Sequence, residues 1–457
     1  MTYIKKPLGV TERLVVTGTL IFTSPVLFQA GNEEGLTDFV ILRDEVSRQP
    51  LLPGASLAGA LRSYLHASLP KTDPNGLDQN AVATLFGSIK GGDSERSWLI
   101  VEEALGTEAG IEIRDGVKIA PSTQTAEDEG KYDMEMLASG TSFEIGFELL
   151  IPDDLNSALR TLFYTALSAL ENGEIRLGAK KHRGFGQCHV QNWQVHRYLM
   201  SKKQDVIRWL KNDRANPESE ATLYENLGFK EKPKLPASDK CIIALQLGVK
   251  NTMMVRSYSS DPKQPDMVHL RNHAGDLVLP GTSLAGVLRA QARRIAALRI
   301  GQDHGDLLVN GIFGSQEPDE KGRLKGSRLV VSESSIQNPG ADITQNRIKM
   351  DVFTGGTFSG ALFNEKPVIG GSTEIQLEIS QPSKAELALL LLLARDLWEG
   401  MLFIGGESSI GRGYLQGTSG YMKWKGDVYH VSNKDGKFSL DAEENFITDL
   451  LAALVPA

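Results

Sequence analysis

LPGASLAGALR, residues 52–62, is written again as LPGTSLAGVLR, residues 279–289, with nine of eleven letters identical at an offset of 227. A Pro-Gly turn, a small hydroxyl residue and leucines at helical spacing make a helix start. Its recurrence raises the question of whether the whole chain is doubled. Two further anchors keep the offset: LFGS (85–88) returns as IFGS (312–315), and GFG (184–186) as GRG (411–413). Three anchors in one register across more than 130 residues define a long internal repeat.

Each half reads in the same order. A β-branched strand comes first (13–22; 240–249), then a polar loop, the Pro-Gly turn, and a helix with leucines at 57, 61 and 65 in the first copy. A short strand follows (98–102; 328–332), then a polar, Gly/Thr-rich excursion (120–139; 351–367), a strand (142–150; 372–379), a leucine-rich helix (155–171; 385–399) and a glycine-rich strand-loop-strand. The order β-α-β-β-α-β predicts an α+β chain of two tandem ferredoxin-like domains. The first domain is expected over 1–197 and the second over 238–424. A charged, Pro-bearing linker with a helix near 202–211 is expected over 198–237, and a terminal accessory segment over 425–457.

At 457 residues, 41% hydrophobic and 23% charged, two globular domains are the natural expectation. The longest apolar run, 387–394, is far too short to cross a bilayer, and no leader pattern opens the chain. A soluble, cytoplasmic protein is therefore expected. Two cysteines, Cys188 and Cys241, provide neither a metal-ligand spacing nor a disulfide framework. A net charge of −8 opposes free nucleic-acid binding except through local basic clusters.

Helix starts attract anions because their first N–H groups lack partners within the helix and the macrodipole adds positive charge. Ser56 with Arg62, and Ser283 with Arg289, stand at two such starts. The loop GAKKHRGFG (178–186) joins three glycines to Lys180, Lys181, His182 and Arg183, with Phe185 as a candidate base-stacking ring. Its counterpart GGESSIGRG (405–413) keeps the glycines and Arg412 but loses the lysines. The plainer readings, an ordinary helix start and a solvated turn, stay open on these residues alone. Residues 406–412 mimic a P-loop but lack its Lys and Ser/Thr, which argues against an NTPase. His269 and His273, four apart outside a helix, form a weak metal pattern. Asp38 and Asp266 sit in the loops before the Pro-Gly turns, where an acid meeting a phosphate can hold Mg²⁺ or activate a hydroxyl. A solvated loop Asp is the ordinary alternative for each.

The set PGxSLxGxLR, then FGS, then an RGFG-type loop, inside a duplicated ferredoxin-like pattern, resembles the RAMP superfamily of CRISPR proteins, above all the backbone subunits of type III effector complexes. The likeness covers about 10–196 and 238–424, and two such domains in one chain resemble the fused double subunit of type III-D complexes. This resemblance implies a ribonucleoprotein subunit with crRNA, target RNA and other effector subunits as partners. It implies thumb hairpins at 120–139 and 351–367. It also implies guide contacts from Ser56, Arg62, Lys180, Lys181, Arg183, Ser283, Arg289 and Arg412.

In that family, target cleavage depends on an Asp before the Pro-Gly turn. TDFVILRD (37–44) matches the pattern well, and PDMVHLRN (265–272) less well and one residue out of register. The resemblance thus implies catalytic, metal-binding roles for Asp38 and Asp266, with Mg²⁺ or Mn²⁺ as cofactor in an endoribonuclease. Ala58 and Ala285 stand where the family commonly has a phosphate-contacting Lys. Two other readings remain: a non-catalytic crRNA-binding scaffold, and a guide-processing nuclease relying on His182 as base.

Overall fold

The computed structural model describes residues 9–31, 37–70, 77–90, 93–120, 123, 125–153, 156–215, 217, 222–234, 239–258, 265–315, 318 and 322–454. It divides into two compact units. One comprises Met1–Arg114, Tyr132–Lys181 and Phe185–Ser238; the other comprises Asp115–Lys131, His182–Gly184 and Asp239–Ala457.

In the first repeat, β1 (Val10–Phe22) is the centre of an antiparallel sheet. Its alternating Leu14, Val16, Leu20 and Phe22 are buried, as the period of two demands of a strand with one face in the core. Helix α1 (Gly54–Ser68) follows and buries Leu57, Leu61 and Leu65, one stripe at 3.6 spacing. Next come the short helix α2 (Gln79–Phe86) and a hairpin of β2 (Ile111–Ile119) and β3 (Ala126–Leu137). Then follow β4 (Ser142–Pro152), helix α3 (Asn156–Glu171) and β5 (Cys188–Leu199). The sheet runs β5-β1-β4 and continues to Ala104–Thr107, which also pairs with Leu51–Leu52. That is the fourth-first-third-second order of a ferredoxin-like βαββαβ unit.

Parts of the segment expected to be a linker are folded, at 198–215 and 222–234. Helix α4 (Lys203–Leu210) and the turn Leu223–Asn226 belong to the first unit, and Leu223 and Leu227 join its core. Buried Glu12 is clamped by Arg160 and by Arg197, the latter 2.7 Å away, while Arg160 Nη1 donates to the Leu227 carbonyl at 2.6 Å. A chain that was a linker in composition is thus pinned by a buried charge on β1.

The second repeat repeats the plan: β6 (Lys240–Lys250), α5 (Gly281–Ile300), α6 (Gln302–Phe313), a hairpin of β7 (Gln345–Met350) and β8 (Thr357–Lys366), β9 (Ser372–Ser380), α7 (Lys384–Trp398) and β10 (Tyr414–Trp424). Here β6 lies between β9 and β10 in the same order. The residues after Trp424 extend this sheet by β11 (Asp427–Lys434) and β12 (Lys437–Leu440), and helix α8 (Glu444–Ala452) follows. Both hairpins start earlier than the polar excursions indicated. The sequence IEIRDGVKI alternates like a strand, and it is the outgoing arm of the first hairpin.

No described helix is long and apolar enough to cross a membrane. Cys188 and Cys241 are free, buried thiols, each pushed up to about 12 by burial.

Candidate active site and nucleic-acid interface

The repeated Pro-Gly motif begins a helix two residues before Ser56: Pro53 and Pro280 are extended and cap helices whose first residues are Gly54 and Gly281. Steric room requires the glycines. A Cβ on Gly54 would lie 2.4 Å from the Val101 carbonyl oxygen, and one on Gly281 would lie 2.2 Å from that of Val331. Each helix start is jammed beneath a short strand of its own sheet.

Beside the first helix start lies a cavity of about 410 Å³, lined among others by Ser56, Gly59, Arg176, Gly178 and Lys181. Fold and sequence meet here, since Ser56 and Lys181, 125 residues apart, line one wall set. Gly178 has φ 84°, and a Cβ there would press within 2.7 Å of the Leu27 carbonyl oxygen, so the loop can turn this tightly only with glycine. Arg176 was missed by the motif reading, although a cation two residues before a glycine-rich loop was visible. Arg62, further along α1, is half-buried and makes no ion pair among the described residues; it does not line the cavity. Arg183 closes the 3-10 turn Lys181–Arg183, which also contains His182, outside the lining.

Phe185 is 1% exposed, within the first core. A ring so enclosed offers no face to a base, which removes the physical basis for reading it as a stacking platform. Two arginines are likewise turned inward. Arg289 is buried, with Nη2 donating to Asn310 Oδ1 at 3.0 Å and to the Gly314 carbonyl at 2.8 Å. Burial, and then the charge of neighbouring Arg293, push it down to about 10. Arg412 is 2% exposed, hydrogen-bonded to Glu407 and Gln345 and ion-paired with Glu365 at 3.1 Å. Both side chains are held by intrachain bonds rather than offered at the surface. Ser283 remains half-buried at the start of α5.

Asp38 is exposed, and its Oδ2 accepts the backbone N–H of Asp133 at 2.8 Å. Asp133 lies on β3, and the next residues, Phe39 and Met134, form a parallel bridge. Lys180 from the glycine-rich loop sits over the Tyr132 ring at 3.9 Å and the Phe39 ring at 5.6 Å. The loop, the hairpin and the acid-bearing segment therefore converge on one place.

Asp266 is held in the same way. Its Oδ2 accepts the backbone N–H of Asn364 on β8 at 3.1 Å, and Met267 and Val268 pair in parallel with Glu365 and Lys366. The one-residue slip has a structural explanation. The pairs Gln29↔Ile41 and Arg256↔His269 correspond, as do Arg43↔Pro50 and Arg271↔Leu277. One extra residue precedes Asp266, and the following turn, closed by Asn272 N–H to Asp276 O instead of Asp44 N–H to Gln49 O, is one residue shorter.

His269 is a structural pin. Its Nδ1 accepts the Val255 N–H at 3.2 Å and its Nε2 lies 2.9 Å from the Val278 carbonyl, so both nitrogens are engaged. With His273 exposed, the pair forms no metal site, and no cluster of three His, Cys, Asp or Glu occurs among the described residues. Oxygen donors for a hard cation are nonetheless present. Asp133 Oδ1 and Asn364 Oδ1 are both buried without a hydrogen-bond partner, each on the residue that holds the candidate acid. Mg²⁺ characteristically takes one or two carboxylates and completes its shell with water and phosphate, so this donor set fits it.

Comparison with known proteins agrees with the doubling. The sequence profile of the RAMP superfamily matches twice, over residues 19–189 and 237–416. A CRISPR system Cms endoribonuclease Csm3 from Enterococcus italicus is 26% identical over 163 residues, which is 33% of this chain and 76% of that protein.

Proposed function

The chain belongs to the RAMP superfamily, carrying its domain twice, and on that footing we propose that it is a double backbone subunit of a type III CRISPR ribonucleoprotein, binding guide crRNA and cleaving complementary target RNA. The observation that carries the cleavage reading is the repeated holding of Asp38 and Asp266 by a backbone N–H of the returning hairpin strand. Two loops of different length arrive at one geometry.

The cavity with Ser56, Arg176 and Lys181 supplies cations and a helix start to a phosphate, and it supports guide binding by the first domain despite the chain's net charge of −8. The hairpins carry exposed apolar groups, with Val352 at 93% and Phe353 at 98% on the second, suited to wedging between stacked bases. A target nucleotide unstacked beside Asp38 or Asp266 would bring its 2′-oxygen in line with the adjacent phosphorus. The 2′-O–P bond then forms as the P–O5′ bond breaks, leaving a 2′,3′-cyclic phosphate and a 5′-hydroxyl. Asp38 or Asp266 orients the attacking hydroxyl and takes up its proton, while a proton from solvent reaches the leaving 5′-oxygen. Mg²⁺ or Mn²⁺, held by Asp38 with Asp133 or by Asp266 with Asn364, would neutralise charge on the phosphate.

The test is Asp38→Ala and Asp266→Ala, singly and together, in the complex assembled with guide RNA and offered an end-labelled target. Each single substitution should remove its own set of cuts without loss of target binding. Survival of every cut in the double variant would leave a crRNA-binding scaffold. Site-specific cutting of precursor RNA by the isolated chain would favour guide processing through His182.

A further inference from the structure

The two repeats fasten hairpin to glycine-rich loop by opposite chemistry, and the difference falls beside Asp266. In the first repeat, Phe185 and Met134 are buried in the hydrophobic core and Lys180 lies over Tyr132. The repeat register puts Arg412 where Phe185 stands and Glu407 where Lys180 stands; Lys180 and Glu407 share a left-handed backbone, φ 52° and 64°. Pairing with Phe39 and with Met267 makes Glu365 the counterpart of Met134.

Two buried apolar residues of the first repeat thus have buried charged counterparts in the second. Arg412 bonds Glu407, lies 3.1 Å from Glu365, and donates to Gln345 at 2.5 Å. Glu407 is bonded by Arg256 at 2.8 Å and Arg347 at 3.0 Å, and Arg347 Nε lies 3.3 Å from Glu365. Glu365 and Arg412 are 1% and 2% exposed. Charges so deep hold their places only while each retains its partner, since removing one leaves the other buried and uncompensated. Gln345 and Glu365 face each other across β7 and β8, so Arg412 grips both arms of the hairpin. The residue before Glu365 is Asn364, whose N–H holds Asp266.

We infer that Arg412, acting through Glu365 and Glu407, is the positioning residue for Asp266, at the place where the first repeat has the buried Phe185 and the Lys180–Tyr132 contact instead. This rests on the reading of Asp266 as a cleavage site. Arg412→Met in the assembled complex should slow the cut assigned to Asp266 by about 100-fold, the scale on which a misplacement near 1 Å acts. The Asp38 cut and guide loading should be unchanged. Amide exchange at Asn364 should accelerate. Restoring the first repeat's pair, Arg412→Phe with Glu365→Met, should return the second cut to within about threefold, because the two changes compensate.

A second cut untouched by Arg412→Met overturns the inference. So does a double variant that melts like the native chain yet remains as slow as the single one. If Arg412→Met does not fold, Glu407→Gln takes its place, with the same selective loss expected and an unaltered second cut overturning the inference. Asp266→Ala run alongside keeps the two claims apart. If it changes no cut, the cleavage reading fails, and the exchange rate at Asn364 alone decides whether Arg412 positions this strand.

Discussion

The Asp38 carboxylate hangs on the backbone N–H of Asp133 at 2.8 Å, while the side chain of Asp133 keeps a buried Oδ1 without a hydrogen-bond partner. The backbone of one residue thus positions the candidate acid, and the same residue carries a second carboxylate. In the second repeat Asn364 performs the first task identically but brings a neutral amide. Two carboxylates bind a hard cation more tightly than one carboxylate and an amide. Asp133→Asn should therefore raise the Mg²⁺ concentration needed for the first cut by about tenfold, and Asn364→Asp should lower that needed for the second by a similar factor. Cleavage followed against Mg²⁺ concentration, cut by cut, measures both shifts.

The cavity at the start of α1 separates residues that line an open site from residues that resemble them only in sequence. Lys181→Ala and Arg176→Ala should each weaken guide binding about equally for unrelated guide sequences, and each should reduce the steepness of its salt dependence by about one counterion. Arg412, tied to three intrachain partners, should not alter that slope when replaced. Filter binding across a salt series distinguishes the two behaviours.

Phe185 and Glu12 should report on stability rather than on RNA. Phe185→Ala removes a fully enclosed ring and should cost about 3–5 kcal/mol. Glu12→Gln leaves Arg160 buried with a weakened partner, and losses of a similar size, about 3–5 kcal/mol, accompany the breaking of such pairs. The Glu12 variant carries a further signature: residues 222–229, tied through Arg160 to β1, should become open to protease before the sheet itself unfolds. Limited proteolysis alongside urea melts checks both.

Much of this architecture was legible because it is written twice. The 227-residue register and the periods of two and 3.6 were enough for the βαββαβ order, and the acid-bearing loops could be paired despite their slip. The slip itself was opaque, because an extra residue before Asp266 is absorbed by a shorter turn at 272–276, and only the strand pairings reveal the compensation. Burial of individual cations was equally hidden. Arg412 looks like a surface cation until Glu365, 47 residues earlier, is seen to face it. The described parts of 198–234 read as linker by composition because their anchor, Glu12, lies at the other end of the domain.

His269 occupies in the second repeat the place of Ile41 in the first, and it makes that repeat acid-sensitive. Both ring nitrogens are engaged by backbone groups, and burial pushes the imidazole down to about 4 from 6.5. The folded chain thus resists a proton that the unfolded chain accepts. With the folded value depressed, unfolding takes up a proton below the unfolded value, so stability falls as pH drops from about 6.5 and levels off near 4. The loss between about pH 7 and pH 5 should be about 2 kcal/mol. This contribution belongs to the second unit, since Ile41 cannot titrate; in the first unit His66, also lowered by burial and then by Arg62, adds a loss of the same sign. Urea unfolding at the two pH values, followed by amide exchange in β6 and β9, measures it. His269→Gln should lower stability at neutral pH yet remove most of the difference between the two pH values. A pH dependence of full size in that variant would place the titrating group elsewhere.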